Sequence, residues 1–207
     1  MMMNSDKYPI SHISRIRMGT DGNGIRTLIL LSGCPLRCRY CLNPDTWNGN
    51  RAPDMMTAEE LYQKVSIDRL YMLATGGGVT FGGGEPLEYP DLISEFRQIC
   101  DPGITIFAET SFNVDQSHIE KVIDSVDVFL IDIKSTDPDI YRSYTGGELE
   151  VVINNLKYVL EHKSSDNVIV RIPLIDGYNT IDSQRDSKQL LRSMGIKRFD
   201  LFSYITE

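Results

Sequence analysis

Six short runs rich in β-branched and apolar residues, alternating with longer stretches of helical periodicity, constrain this chain more than any other feature. The runs lie at residues 27–32, 79–81, 104–109, 128–134, 168–174 and 199–204. Helical patterns fall at about 57–73, 89–100, 115–125, 137–144 with 149–162, and 180–194, with Thr57 and Thr180 placed as N-caps. Such alternation predicts a parallel sheet with right-handed crossovers, and six units suffice for a partial (β/α)6 barrel, a TIM-like α/β fold. In barrels of parallel strands the chemistry lies at the C-terminal ends of the strands. Residues 1–12 read as an irregular lead-in, 13–18 as a short edge strand and 19–24 as a glycine-rich turn. At 207 residues one domain is expected, with 1–26 packed on a 27–207 core.

The first of these runs leads directly into Cys34-Pro35-Leu36-Arg37-Cys38-Arg39-Tyr40-Cys41. Three of the four cysteines thus fall in one loop, spaced C-x3-C-x2-C. Thiolates gathered so closely suit a soft metal, and iron-sulfur clusters are held by cysteines at short local spacings. Three ligands would leave one iron of a cubane open, and an open coordination position is where a substrate binds. A structural zinc site usually takes four ligands, yet His12, His118 and His162 are scattered; a local disulfide would strand an odd thiol. Cys100, far along the chain, reads as a buried small hydrophobe.

Charge narrows the function classes. A net charge of −8 is opposite to the basic footprint of a nucleic-acid binder. No run approaches the length of a membrane span, and the first residues lack the pattern of a signal peptide, so a cytoplasmic protein is expected. Cysteines at ligand spacing fit a reducing compartment.

Further candidates sit at the strand ends. Gly82-Gly83-Gly84-Glu85-Pro86 follows a strand, and its glycines let backbone approach a ligand. No Lys-Ser or Lys-Thr follows, so it is not a phosphate loop. In 128–134 the two-residue period puts Asp132 and Lys134 on one face, costly unless paired or ligand-bound. A neighbouring strand ends in Glu109-Thr110. Arg171 interrupts an apolar strand and calls for an anionic partner, either a cofactor carboxylate or a core acid.

Taken together, these motifs resemble the radical S-adenosylmethionine (radical SAM) superfamily, and within it the glycyl-radical-enzyme activating enzymes. Asp21-Gly22-Asn23-Gly24-Ile25-Arg26 is similar to that family's DGPGIR, and Asn43-Pro44-Asp45-Thr46-Trp47 continues the cysteine motif. Residues 76–86 resemble GGGVTxSGGEP, with Gly82 in place of serine. The resemblance runs from about 13 to 204. It implies a 4Fe-4S cluster on Cys34, Cys38 and Cys41, with S-adenosylmethionine at the open iron. It implies cofactor contacts from Tyr40 beside the adenine, from Gly83, Gly84 and Glu85 to the amino group, and from Asp132-Ile133-Lys134, with Arg171 a candidate for the carboxylate. Glu109, where aspartate is usual, would surround a monovalent cation with Thr110 and Asp132. Asp21 would meet a glycine-bearing peptide. The implied partners are a glycyl radical enzyme as protein substrate and a flavodoxin- or ferredoxin-like electron donor. Other readings are a small radical SAM enzyme acting on a small molecule or peptide, and a catalytically silent cluster-binding protein. The family's histidine after a Pro-Tyr pair is replaced in Ser203-Tyr204-Ile205, and the chain stops where resembling members continue.

Overall fold

The computed structural model describes residues 6–204; the start of the expected lead-in, 1–5, and residues 205–207, with Ile205, lie outside them. In chain order the elements are β1 (Tyr8–Met18), β2 (Ile25–Leu31), β3 (Asp54–Met56), α1 (Ala58–Val65), α2 (Arg69–Thr75), β4 (Gly78–Gly83), α3 (Pro90–Ile99), β5 (Thr105–Thr110), α4 (Gln116–Val122), β6 (Val128–Asp132), α5 (Pro138–Thr145), α6 (Leu149–His162), β7 (Val168–Leu174), α7 (Ile181–Ser193) and β8 (Arg198–Ser203). One sheet contains every strand, in the order β3-β1-β2-β4-β5-β6-β7-β8. From β2 to β8 all neighbours are parallel. The fold is therefore mostly parallel α/β with the six expected parallel strands, the first five followed by helices, and among the described residues its two end strands, β3 and β8, do not pair with each other.

Burial follows the sequence pattern. By the two-residue period of a strand, Val79, Phe81, Ile106, Ala108, Phe129, Ile131, Val170 and Ile172 share the face packed into the hydrophobic core and are all buried, while the alternate face carries Thr80, Glu109, Asp132 and Arg171. α3 turns Leu92, Ile93 and Phe96 inward, at i, i+1 and i+4. Phe96 meets Phe81 and Tyr62 edge-on at centroid distances of 5.4 and 5.7 Å. Such edge-to-face pairs add about 0.5–1.5 kcal/mol beyond the area they bury. Thr57 and Thr180 both form capping boxes, with Glu60 and Ser183; each cap is worth about 1 kcal/mol. Cys100 is buried as expected.

The structure departs from the expectation on the N-terminal side. β1 begins at Tyr8 rather than Ile13: residues 8–10 lie between β2 and β3, antiparallel to both, while residues 13–18 pair with β2 alone among the described residues, as the expected edge. Tertiary pairing with β3, a strand of three residues, supplies what local pattern does not. The helix expected over 57–73 is broken into α1 and α2 by a 3-10 turn, Ser66–Asp68. At that turn the buried Asp68 carboxylate accepts two bonds from the Arg15 guanidinium of β1, at 2.6 and 2.7 Å.

Candidate active site

The C-terminal ends of the parallel strands surround a cavity of about 730 Å³. Two loops bonded to each other build part of its wall. The cysteine loop leaves β2 and is stitched down on several sides by backbone bonds: Ser32 N to Pro9 O, Gly33 N to Thr46 O, Arg37 N to Thr145 O and Arg39 N to Tyr144 O, at 2.7–3.1 Å. The glycine loop after β4 is bonded to it by Gly84 N to Leu31 O and Glu85 N to Gly33 O, at 2.9 and 2.8 Å. Both close approaches need glycine. Gly83 has φ +104°, and a Cβ on Gly84 would lie 1.9 Å from the Gly33 carbonyl oxygen.

Cys34, Cys38 and Cys41 all face this cavity as free thiols, half-buried. Burial pushes the Cys34 thiol up to about 12 and the Cys38 thiol to about 11, the latter against the opposing charge of Lys134. The Trp47 indole N–H donates to Cys41 Sγ at 3.3 Å. No group of three His, Cys, Asp or Glu among the described residues is placed around one metal ion. A cubane asks for a different arrangement, one thiolate per iron, and a soft all-sulfur donor set opening onto a cavity fits it.

Facing the same cavity runs a ladder of charges from the ends of three strands, β5, β6 and β7. The β6–β7 register places Asp132 beside Arg171. Arg171 Nε donates to Asp132 Oδ1 at 2.6 Å and its Nη1 to Glu109 Oε1 at 2.9 Å. Lys134 Nζ donates to Asp132 Oδ2 at 2.9 Å and to the Tyr204 hydroxyl at 2.8 Å. Two carboxylates and two cations make the ladder neutral, which is how charges survive in a half-buried wall. Burial acts to raise the Asp132 carboxyl, but Lys134 and Arg171 prevail and hold it down to about 2. Burial raises Glu109 despite Arg171. Lys134 and Arg171 themselves are held protonated, their partners outweighing burial. A neutral ladder offering both signs can bind a zwitterion, taking its carboxylate at Lys134 or Arg171 and its ammonium at an acid.

The remaining expected residues divide. Tyr40, Gly83, Gly84 and Asp21 line the cavity with the ladder. Ile133 is buried, its backbone N–H donating to Arg171 O at 3.0 Å. Glu85 lies beneath the glycine loop and is fully buried. Its two oxygens accept from Leu87 N, Thr110 Oγ1, Ser111 N and Ser111 Oγ at 2.6–3.2 Å. That carboxylate therefore clamps the β4 loop to the β5 loop. The β5 loop is held in turn by Phe112 at φ +57°, a left-handed conformation costing a bulky residue roughly 1–3 kcal/mol. The buried Asn155 amide stabilises it by donating to Phe112 O and Val114 O, at 2.9 Å each. At the expected monovalent-cation position the Arg171 guanidinium lies between Glu109 and Asp132, and Thr110 Oγ1 donates to Glu85.

In the glycine turn, Asp21 is paired with Arg17, whose Nη2 donates to its Oδ1 at 3.0 Å. Arg26 is buried, donating to Thr80 Oγ1 and Thr105 Oγ1 at 2.8 Å each, with its guanidinium carbon 3.7 Å from the centre of the Phe107 ring. Burial brings its pKa down to about 10. The last residue of the turn motif is thus a structural anchor. Sequence reasoning missed Arg17, Tyr204 as the partner of Lys134, and Ser111; only the two-residue period carrying Arg15 and Arg17 gave any signal for the first.

With this geometry in place, similarity to known proteins is informative. Residues 28–185 match the radical SAM superfamily. The pyruvate formate-lyase-activating enzyme of Clostridium pasteurianum is 41% identical over 127 residues, 61% of this chain and 52% of that one. The Staphylococcus aureus enzyme of the same name is 31% identical over 203 residues, 90% of this chain and 78% of that one. The chain's match thus spans about half the length of the first relative and over three quarters of the second. Among solved structures, Streptococcus suis SuiB bound to S-adenosylmethionine superposes with a TM-score of 0.61 at 18% identity, covering 84% of this chain and 39% of that one, a likeness of fold.

Proposed function

The chain belongs to the radical SAM superfamily, and from that premise we propose that it activates a partner enzyme by generating a glycyl radical on it. The observation that carries this reading is the cavity itself, lined by three free thiols and a neutral charge ladder. Superfamily members use a 4Fe-4S cluster and S-adenosylmethionine, and the residues present fit both. Cys34, Cys38 and Cys41 would hold the cluster. Lys134, Arg171 and Asp132 would orient the zwitterionic methionine end of S-adenosylmethionine, while Tyr40, at the cavity rim, suits an adenine. When bound, the cofactors supply a primary carbon radical able to remove hydrogen from a peptide glycine.

The chain's own task is positional. The stitched loops hold thiols and ladder at fixed separation, and Glu85 locks the glycine loop so that its backbone faces the cavity. Asp21 and Arg17 form a neutralised pair in the cavity lining, suited to hydrogen-bonding an extended peptide. A low-potential carrier of the flavodoxin or ferredoxin type would deliver the electron.

The reading is tested anaerobically by reconstituting the cluster, adding reductant and S-adenosylmethionine, and quantifying 5'-deoxyadenosine with and without a glycyl radical enzyme. Product that vanishes in Cys38→Ala, with a glycyl EPR signal on the partner, is expected. Failure of the wild-type chain to hold a cluster would overturn the proposal.

A further inference from the structure

Trp47 is the only tryptophan in the chain, and its indole N–H lies 3.3 Å from Cys41 Sγ. Several contacts fix the indole there. The Pro44–Thr46 turn closes beneath it, with Trp47 N donating to Pro44 O at 3.2 Å. Thr46 is tied back to the cysteine loop through Gly33 N, at 2.7 Å, and its hydroxyl donates to Asn43 O at 2.6 Å. On the ring face lies the Arg37 guanidinium, 4.8 Å from the centroid. Arg37 Nη1 in turn donates to the Cys34 and Leu36 carbonyls, at 2.6 Å each. Indole, guanidinium and cysteine loop therefore form one unit, in which a donor from outside the loop is aimed at a ligand sulfur.

We infer that Trp47 is a positioning residue that tunes the reduction potential of the cluster, an inference resting on the proposed cluster at Cys34, Cys38 and Cys41. Hydrogen bonds to ligand sulfurs and nearby charge are among the principal determinants of iron-sulfur potentials. A donor withdraws electron density from the thiolate and favours the reduced, more negative cluster. The Arg37 charge acts in the same sense. Trp47 thus raises the potential, making the cluster accessible to its electron donor, and the cation over its face holds the N–H on target.

The test is a potentiometric titration of the reconstituted full chain, followed by EPR without S-adenosylmethionine. Trp47→Phe keeps the ring under Arg37 and removes the donor. Its cluster is expected to reduce about tenfold less at a fixed poise, a midpoint lower by about 59 mV for one electron. Because the tryptophan is unique, ¹⁵N-indole labelling of the wild-type chain gives an independent reading: pulsed EPR of the reduced cluster should show a ¹⁵N coupling. An unchanged midpoint in Trp47→Phe at wild-type cluster content would overturn the inference. So would loss of the cluster in that variant, which would make the tryptophan purely structural, or absence of the ¹⁵N coupling. A wild-type chain that assembles no cluster would instead remove the functional reading, and this inference with it.

Discussion

Asp132 is the residue on which the charge ladder turns, since it alone contacts both cations. Its carboxyl is held at about 2 against an ordinary value of 3.8. A depressed carboxylate contributes stability that is complete above its unfolded pKa and is lost as pH falls through the folded one. A shift of this size corresponds to about 2 kcal/mol. In the cofactor-free chain, Asp132→Asn is therefore expected to cost about 2 kcal/mol at neutral pH, and the gap to wild type should close between about pH 4 and pH 2. Glu109 has the opposite sign: raised by burial, it favours the fold most where it is protonated and loses that contribution as pH rises through the ordinary carboxylate range. It therefore does not account for a gap that closes in acid. Urea unfolding of wild type and Asp132→Asn across this range checks the point, and a gap independent of pH would show that the ladder does not hold Asp132 ionised.

Between elements, the informative contact joins β4 to β5. A Cβ added at Gly82 would lie 3.2 Å from Glu109 Oε2 and 3.4 Å from its Cβ. The motif this chain resembles has serine at the first position and aspartate at the second, so the two departures touch. Here the residue without a side chain faces the longer acid, which reaches Arg171. Gly82→Ser alone should overpack the wall and cost about 1–3 kcal/mol. Glu109→Asp alone should weaken the bond to Arg171. Combined, they should recover part of the loss, with a coupling of about 0.5–3 kcal/mol. Denaturant unfolding of the four proteins closes this double-mutant cycle; strict additivity would show the positions to be independent.

For the molecule as a whole, the part legible in the sequence was the part governed by local periodicity. The six parallel strands and their helices came from the alternation of apolar runs, and the cysteine loop from spacing alone. What stayed hidden depends on partners distant in sequence. Tyr8-Pro9-Ile10 falls within the expected lead-in, yet it pairs with Met56, Met55 and Asp54. Glu85 reads as a ligand contact, and its bonds to Thr110 and Ser111 of the β5 loop have no local signal. Asp132 and Arg171 become partners only through the β6–β7 register. This architecture also sets where the fold is weakest. β4, β5 and β6 are flanked on both sides, whereas among the described residues β8 pairs only with β7 and is mostly exposed. A side-chain tie runs from its end at Tyr204 to Lys134, in the cavity wall. Amide exchange of the cofactor-free chain should therefore be slowest in β4–β6 and fast in β8. Binding of S-adenosylmethionine to the reconstituted protein at about 100 times Kd adds about 2.7 kcal/mol to the folded state. If the ladder grips the cofactor as a unit, ordering Lys134 orders Tyr204, and the new protection should reach β8 as well as the cysteine loop. Protection confined to the cysteine loop would mean that the cofactor is held from the β2 side alone and that the Lys134–Tyr204 bond is a tie of the fold rather than of the site.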